Sequence, residues 1–223
     1  MEYIRVTSIE DPLFAAMHRM MTNIFPPEEV LAFELWKEPI ADPTIHVYVA
    51  VLDGEVVGAT EYRYYPELRV AMTDFTIISA LSKGIGRFLF VERQKDLVRL
   101  QAASGTVAIG MFAEIYNPQA ASRFSFGDVL AMHPAVRREV LSHLGYRKLD
   151  LSYVHPSWDH EGKAVTELDL GFWSADETLP SLPASLVSAF LRQYYEALPN
   201  KPKAWHEMIG RLDARDDVPL LPL

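Results

Sequence analysis

Cysteine is absent from this chain of 223 residues, so disulfides, thiolate metal sites and a cysteine nucleophile are excluded together. Long apolar runs are missing as well. No stretch approaches the roughly 18 residues that a membrane-spanning helix needs. The opening MEYIRVTSIEDP is polar and alternating, without the apolar centre of a secretion signal, so the expectation is a cytoplasmic protein. Positive charge is scarce: 21 Lys and Arg stand against 30 Asp and Glu, a formal net charge of −9. Nucleic acid and anionic membrane both reward clustered cations, so neither is expected as a partner. Three catalytic signatures are lacking too. There is no G-x-S-x-G nucleophile turn and no Gly-Lys-Ser/Thr to close a Walker loop, and His143, His155 and His160 lack the helical spacing and acid cluster of a zinc motif. No metal is expected. What is present, 49% apolar and 23% charged residues, is the balance of a soluble domain able to bury a real core.

Along the chain, the alternating YIRVTS predicts a first strand, and Asp11-Pro12 opens a helical pattern through LFAAMHRMMTNIF. Pro26-Pro27-Glu28-Glu29 places proline and acids where a second helix, EEVLAFELWKE, wants them. Two strands joined at Asp53-Gly54 follow, a strong hairpin signal, and RVAMTDFTIIS reads as a further strand. Residues 84–103 predict one amphipathic helix with Ile85, Phe88, Leu89, Val91, Leu97, Val98 and Leu100 inward, ended by Ser104-Gly105. TVAIGMFAEI is apolar enough for the middle of a sheet, and Tyr116 to Asp128 reads as loop. A short helix from Pro134 to Gly145 precedes two strands, YRKLDLSYVH and VTELDLGFW. LPASLVSAFLRQYYEAL is a last amphipathic helix with Leu186, Phe190 and Leu191 on one stripe, and after Pro199 an edge or tail is expected, WHEMIGRL adding a turn or two. The order βααβββαβαββα mixes hairpins with one helical crossover and points to α/β or α+β with a mostly antiparallel sheet.

In TIISALSKGIGR, Gly84 and Gly86 stand where a strand becomes a helix, with Lys83 before them and Arg87 after. A helix N-terminus offers unpaired N–H groups and the positive end of its dipole. Glycines there let a phosphate approach the backbone closely. A plain turn with nothing bound explains the pair as well. A Rossmann fingerprint does not fit, because the third glycine and the following acid are absent.

The order of elements, with SKGIGRFLF between the fourth strand and the third helix, resembles the GNAT superfamily of acyl-CoA-dependent N-acyltransferases. That family's turn reads Gln or Arg, two residues, Gly, one residue, then Gly or Ala. Here Leu81 takes the first position, and Gly84 and Gly86 match the rest. HVYVAVLDGEVVGATEYRYY resembles the family's second and third strands, and HLGYRKLD the step into its sixth. The resemblance covers residues 3–173. It implies a GNAT-like acyltransferase domain over 1–173, with 174–223 a C-terminal helix and Pro-rich tail packed on the same domain. It implies further that acetyl-CoA is the acyl donor. Its pantetheine would pair with backbone of Phe75, Thr76, Ile77 and Ile78, its pyrophosphate would lie over the amides of Lys83, Gly84, Ile85, Gly86 and Arg87, and Asn117 would reach the pantetheine.

Acyl transfer to an amine needs an acceptor for the amine's proton and a donor for developing charge. Glu114, near the end of the fifth strand, is the first choice of base, with Asp74 and Glu61 as other strand acids. Many family members place a tyrosine on the fourth helix to protonate the leaving thiolate. Leu141 occupies that place here, so a thiolate released unaided, or Tyr153, Tyr116 or Tyr146, must be considered, Tyr153 from a strand lining the acceptor side. The acceptor implied is a primary amine on a small molecule or peptide. A non-catalytic acyl-CoA-binding or regulatory module on the same fold remains the alternative. The last helix covers the sheet, narrows the acceptor cleft or mediates a homodimer, and the sequence leaves all three open.

Overall fold

A computed structural model describes residues 1–25, 30–79, 84–119, 134–157 and 162–223. The chain divides into two compact units, the first taking in residues 1–108 and the second the described residues from 109 onward.

In the first unit, β1 (Glu2–Val6), β2 (Ile45–Leu52), β3 (Glu55–Tyr65) and β4 (Val70–Ile78) form an antiparallel run in that order. The β2–β3 turn has positive φ at both Asp53 and Gly54, 53° and 84°, as a tight two-residue hairpin requires. Helix α1 (Pro12–Ile24) is capped by the Asp11 carboxylate, which accepts from Leu13 N at 2.9 Å. It buries Phe14, Met17 and Met21 against Val47, Val49, Phe75 and Ile77 on one face of the sheet.

The expected second helix differs. Residues 26–29 lie outside the described part, a 3₁₀ turn runs from Phe33 to Trp36, and α2 is the short Lys37–Ala41. Phe33 and Trp36 are drawn edge-on to Phe14, 5.0 and 5.9 Å between ring centres, and tertiary packing overrides the local helical pattern.

Helix α3 (Ile85–Ser104) covers the opposite face and ends at Gly105, left-handed at φ 70°. Its inward stripe is less apolar than its sequence suggests. Val91 and Val98 are exposed, whereas Arg93 and Asp96 are buried. The Arg93 guanidinium donates to the hydroxyls of Thr60, Thr73 and Thr76 at 2.8–3.0 Å. Asp96 accepts from the Tyr62 hydroxyl and pairs with Arg99. Tyr62 stacks on His46 and Tyr48.

The second unit has the strand order β5 (Gly110–Tyr116), β9 (Leu168–Ser174), β6 (Tyr146–Leu149), β11 (Asp217–Pro222), β10 (Ser181–Pro183), also antiparallel. β7 (His155–Pro156) and β8 (Ala164–Val165) form a separate two-stranded ribbon. YRKLDLSYVH is thus not one strand, for residues 150–154 leave the sheet between β6 and β7. The residues after Pro199 form α6 (Lys203–Asp213) and then β11, which lies between β6 and β10 and is not an edge. Helix α4 (Pro134–His143) ties to β9 through Arg138 and Asp169 at 2.7 Å. Helix α5 (Ala184–Tyr194) covers the face carrying Phe112, stacking Phe190 on that ring at 4.1 Å, so of the three uses left open for it, covering the sheet is the one observed. In both units the architecture is mixed α/β, mostly antiparallel sheet flanked by helices. No helix among the described residues is long and apolar enough to cross a membrane.

Candidate active site

Among the described residues, the sequence-based site candidates gather mainly in two places, one in each unit. The first is the start of α3. Gly84 caps the helix at φ 69°, a left-handed conformation that costs an L-residue roughly 1–2 kcal/mol. Its carbonyl accepts from Phe88 N at 2.9 Å, so the amides of Ile85, Gly86 and Arg87 point out of the first turn with no intrahelical carbonyl to meet. Gly86 has no positive φ, and a Cβ built there would meet nothing within 4 Å. Among the described residues the fold therefore requires glycine at Gly84 and leaves Gly86 without a packing reason. Ile85 buries its side chain with Ala50 and Leu89, Arg87 is exposed, and Lys83 and Leu81 lie outside the described residues.

On β4, Phe75 and Ile77 point into the core, and the Thr76 hydroxyl is occupied by Thr60 and Arg93. Ile78 is half-buried against Ala50, Ile85 and Leu89, the Phe75 carbonyl accepts from the hydroxyls of Thr60 and Thr73 at 3.0 and 3.4 Å, and β3 pairs with one edge of the segment.

The second group centres on Glu114, on the same face of β5 as Phe112. Three donors converge on a single oxygen, Oε1: the Tyr153 hydroxyl at 2.5 Å, the Tyr195 hydroxyl at 2.6 Å and His155 Nδ1 at 2.8 Å. The donors also touch one another, with His155 Nδ1 2.9 Å and the Tyr153 hydroxyl 2.5 Å from the Tyr195 hydroxyl. Glu114 Oε2 has no hydrogen-bond partner among the described residues, and the side chain keeps 12% of its surface exposed. Burial pushes the Glu114 carboxyl up. The charge of the His155 imidazole and the hydrogen bonds from His155, Tyr153 and Tyr195 outweigh it and hold the carboxyl below its ordinary value. Burial, the Glu114 charge and the neighbouring phenols together push the Tyr195 hydroxyl well above the usual tyrosine range, so it stays a donor.

The expected pair Glu114 and Tyr153 is thus brought together, although Tyr153 sits in the irregular segment after β6 and not on a strand. His155 and Tyr195 were not anticipated. They are 41 and 81 residues from Glu114, and neither carries a local motif that would single it out. Asp74 belongs to another group, in the first unit, with Arg63 Nε 3.8 Å from Asp74 and 3.7 Å from Glu61. Asn117 accepts from Gln119 N at 3.0 Å through its side chain and donates its own N–H to the Glu167 carbonyl. This is a local turn. Leu141 is on α4 and half-buried.

Glu61 is buried, and burial together with the adjacent Asp74 charge pushes its carboxyl well above the ordinary value, Arg63 opposing. A buried acid whose affinity for its proton rises on folding destabilises the fold as pH climbs from the unfolded value toward the folded one. Glu61→Gln is therefore expected to match the native chain in acid and to be increasingly more stable as pH rises, read as melting temperature against pH. Parallel profiles for the two proteins would refute the assignment.

Neither a family model nor a curated protein matches the sequence. Solved structures do match its fold. A protein from Bacteroides thetaiotaomicron assigned to the GNAT-family acetyltransferases superposes with a TM-score of 0.58 at 14% identity, over 89% of this chain and 97% of the other. A GNAT-family protein from Desulfovibrio desulfuricans gives 0.51 at 18%, over 79% and 99%. An aminoglycoside 6'-N-acetyltransferase complexed with coenzyme A gives 0.51 at 15%, over 77% and 95%. The chain has the GNAT acetyltransferase fold.

Proposed function

We propose that this chain is an N-acetyltransferase, moving the acetyl group of acetyl-CoA to a primary amine on a small molecule or peptide. The observation that carries the reading is the start of α3. One glycine is held left-handed to shape the turn, and a second, among the described residues, has no packing role and leaves space beside outward-pointing amides. A diphosphate fits such donors. The fold is shared with acetyltransferases, one of them complexed with coenzyme A.

In this reading the amides of Ile85, Gly86 and Arg87 hold the pyrophosphate and main-chain groups of Phe75 to Ile78 hold the pantetheine. The amine nitrogen forms a bond to the thioester carbonyl carbon as the carbon–sulfur bond breaks. Glu114 Oε2 takes the proton the amine gives up, and the thiolate leaves, to be protonated by a hydroxyl or solvent. Tyr153 holds the carboxylate in place, and Asp74 is the alternative acid to test. Localisation to the cytoplasm is part of the same proposal.

The second reading, an acyl-CoA-binding module without turnover, is favoured by Leu141 in the place of the proton-donating tyrosine. Titrating acetyl-CoA into the protein in a calorimeter, followed by a free-thiol assay over a panel of amines, tests both. The expected result is micromolar-range binding together with thiol release. Binding without release supports the second reading, and no heat refutes both.

A further inference from the structure

We infer that Tyr195 and His155 are positioning residues for Glu114, and that the segment after residue 174 is thereby a working part of the site. The inference rests on the reading of Glu114 as proton acceptor.

A carboxylate on a strand is free to turn about its last bond, which presents its two oxygens in many directions. Here three donors fix Oε1 from three separate pieces of chain: the segment after β6, the ribbon strand β7 and the end of α5. With one oxygen so held, the other has one direction left, and Oε2 is the oxygen with no described partner. Fixing a reacting group in advance is what lowers the reorganisation needed during reaction.

The C-terminal segment does this through two contacts. Phe190 stacks on Phe112, two residues before Glu114 on the same face of β5, and this anchors α5 so that Tyr195, just past its end, reaches the carboxylate. On α6, Met208 accepts from Val154 N at 3.2 Å and so grips the residue between Tyr153 and His155. Tyr195 is also edge-on to Trp205 of α6.

Among the described residues, the groups facing Glu114 are few. They are the two phenols and the imidazole, with Tyr194 behind Tyr195. β9 presents Leu170 opposite Glu114, while the Asp169–Arg138 pair belongs with Ile115, on the other face. Among the described residues, a change in Glu114 on mutating Tyr195 or His155 therefore has no further charged partner of the carboxylate to be assigned to.

The test is a carboxyl-carbon NMR titration of Glu114, its signal identified by loss in Glu114→Gln, in the native protein, Tyr195→Phe and His155→Gln. It is paired with steady-state thiol release. The Glu114 midpoint is expected below 4.5 in the native protein and higher in both variants. Losing one hydrogen bond to a charged group corresponds to about a 10- to 100-fold change, expected here in kcat with KM for acetyl-CoA unchanged. A merely structural role would lower stability without moving the midpoint. An unmoved midpoint in both variants, with their melting temperatures retained, overturns the inference, as does an unmoved kcat. If no amine is turned over, it is the proposed function that fails, and the titration alone still decides whether Tyr195 and His155 hold the carboxylate.

Discussion

On the proposed reading, Glu114→Gln is expected to lower turnover by about 10²- to 10⁴-fold, the range for losing a general base, and to leave acetyl-CoA binding unchanged. The amide is nearly isosteric. Its oxygen can take the place of Oε1 and accept from Tyr153, Tyr195 and His155, while its NH₂ falls where Oε2 was and has no lone pair to offer an amine. The effect is therefore on chemistry, and the cluster stays assembled. Stability changes in a way that checks the same assignment. Because folding lowers the proton affinity of Glu114, its contribution is present above the ordinary carboxylate value of 4.5 and is lost as pH falls through the lower folded value. The variant is accordingly less stable than the native chain near neutrality, and the two converge in acid. Thiol release over the amine panel and melting curves over pH measure both effects. A native turnover rate in the variant removes Glu114 from the mechanism.

On the same reading, Gly86→Val is expected to weaken acetyl-CoA binding by at least about 100-fold, the scale of losing several charge-assisted bonds to backbone amides. Outside its own helix, a Cβ at this position meets no atom of the described residues within 4 Å, and replacing glycine inside a helix removes backbone freedom from the unfolded chain. The variant should melt at the native temperature or above it. Loss of binding with retained stability can arise only if the space beside Gly86 belongs to a ligand. Calorimetric titration of the variant decides the matter, and native affinity there would leave the glycine pair as a turn with nothing bound. Gly84 is the instructive contrast. Its φ of 69° makes any replacement strain the turn itself, so a loss of binding there would not separate structure from function.

Much of the first unit was legible because its contacts are local. Asp53-Gly54 announces its own hairpin, Asp11-Pro12 its helix start and Gly105 its helix end. Helix α2 was misplaced because the aromatic rings of Phe33 and Trp36 answer to Phe14 and not to their neighbours in sequence. Strand β11 was missed for a chemical reason: DVPLLP carries Pro219 and Pro222, and a residue without an N–H argues against an interior strand. The break after β6 falls where β11 presents a proline: Asp150 N donates to the Pro219 carbonyl at 2.9 Å, and Pro219 has no N–H to return. At the candidate site, the glycine turn and the strand acid showed in the sequence because each sits in a local pattern. The partners of Glu114 come from 39, 41 and 81 residues away, and no spacing rule reaches across such distances.

The insertion of β11 between β6 and β10 also sets a timetable for synthesis. β1 to β4 pair with sequence neighbours in the sheet, so a growing polypeptide emerging from a ribosome can assemble them as soon as residue 78 is clear. β6 must wait for residues 217–222 before its second edge is filled, and long-range closure of this kind is slow. Until translation supplies that strand, the edge of β6 stays open to other extended chains.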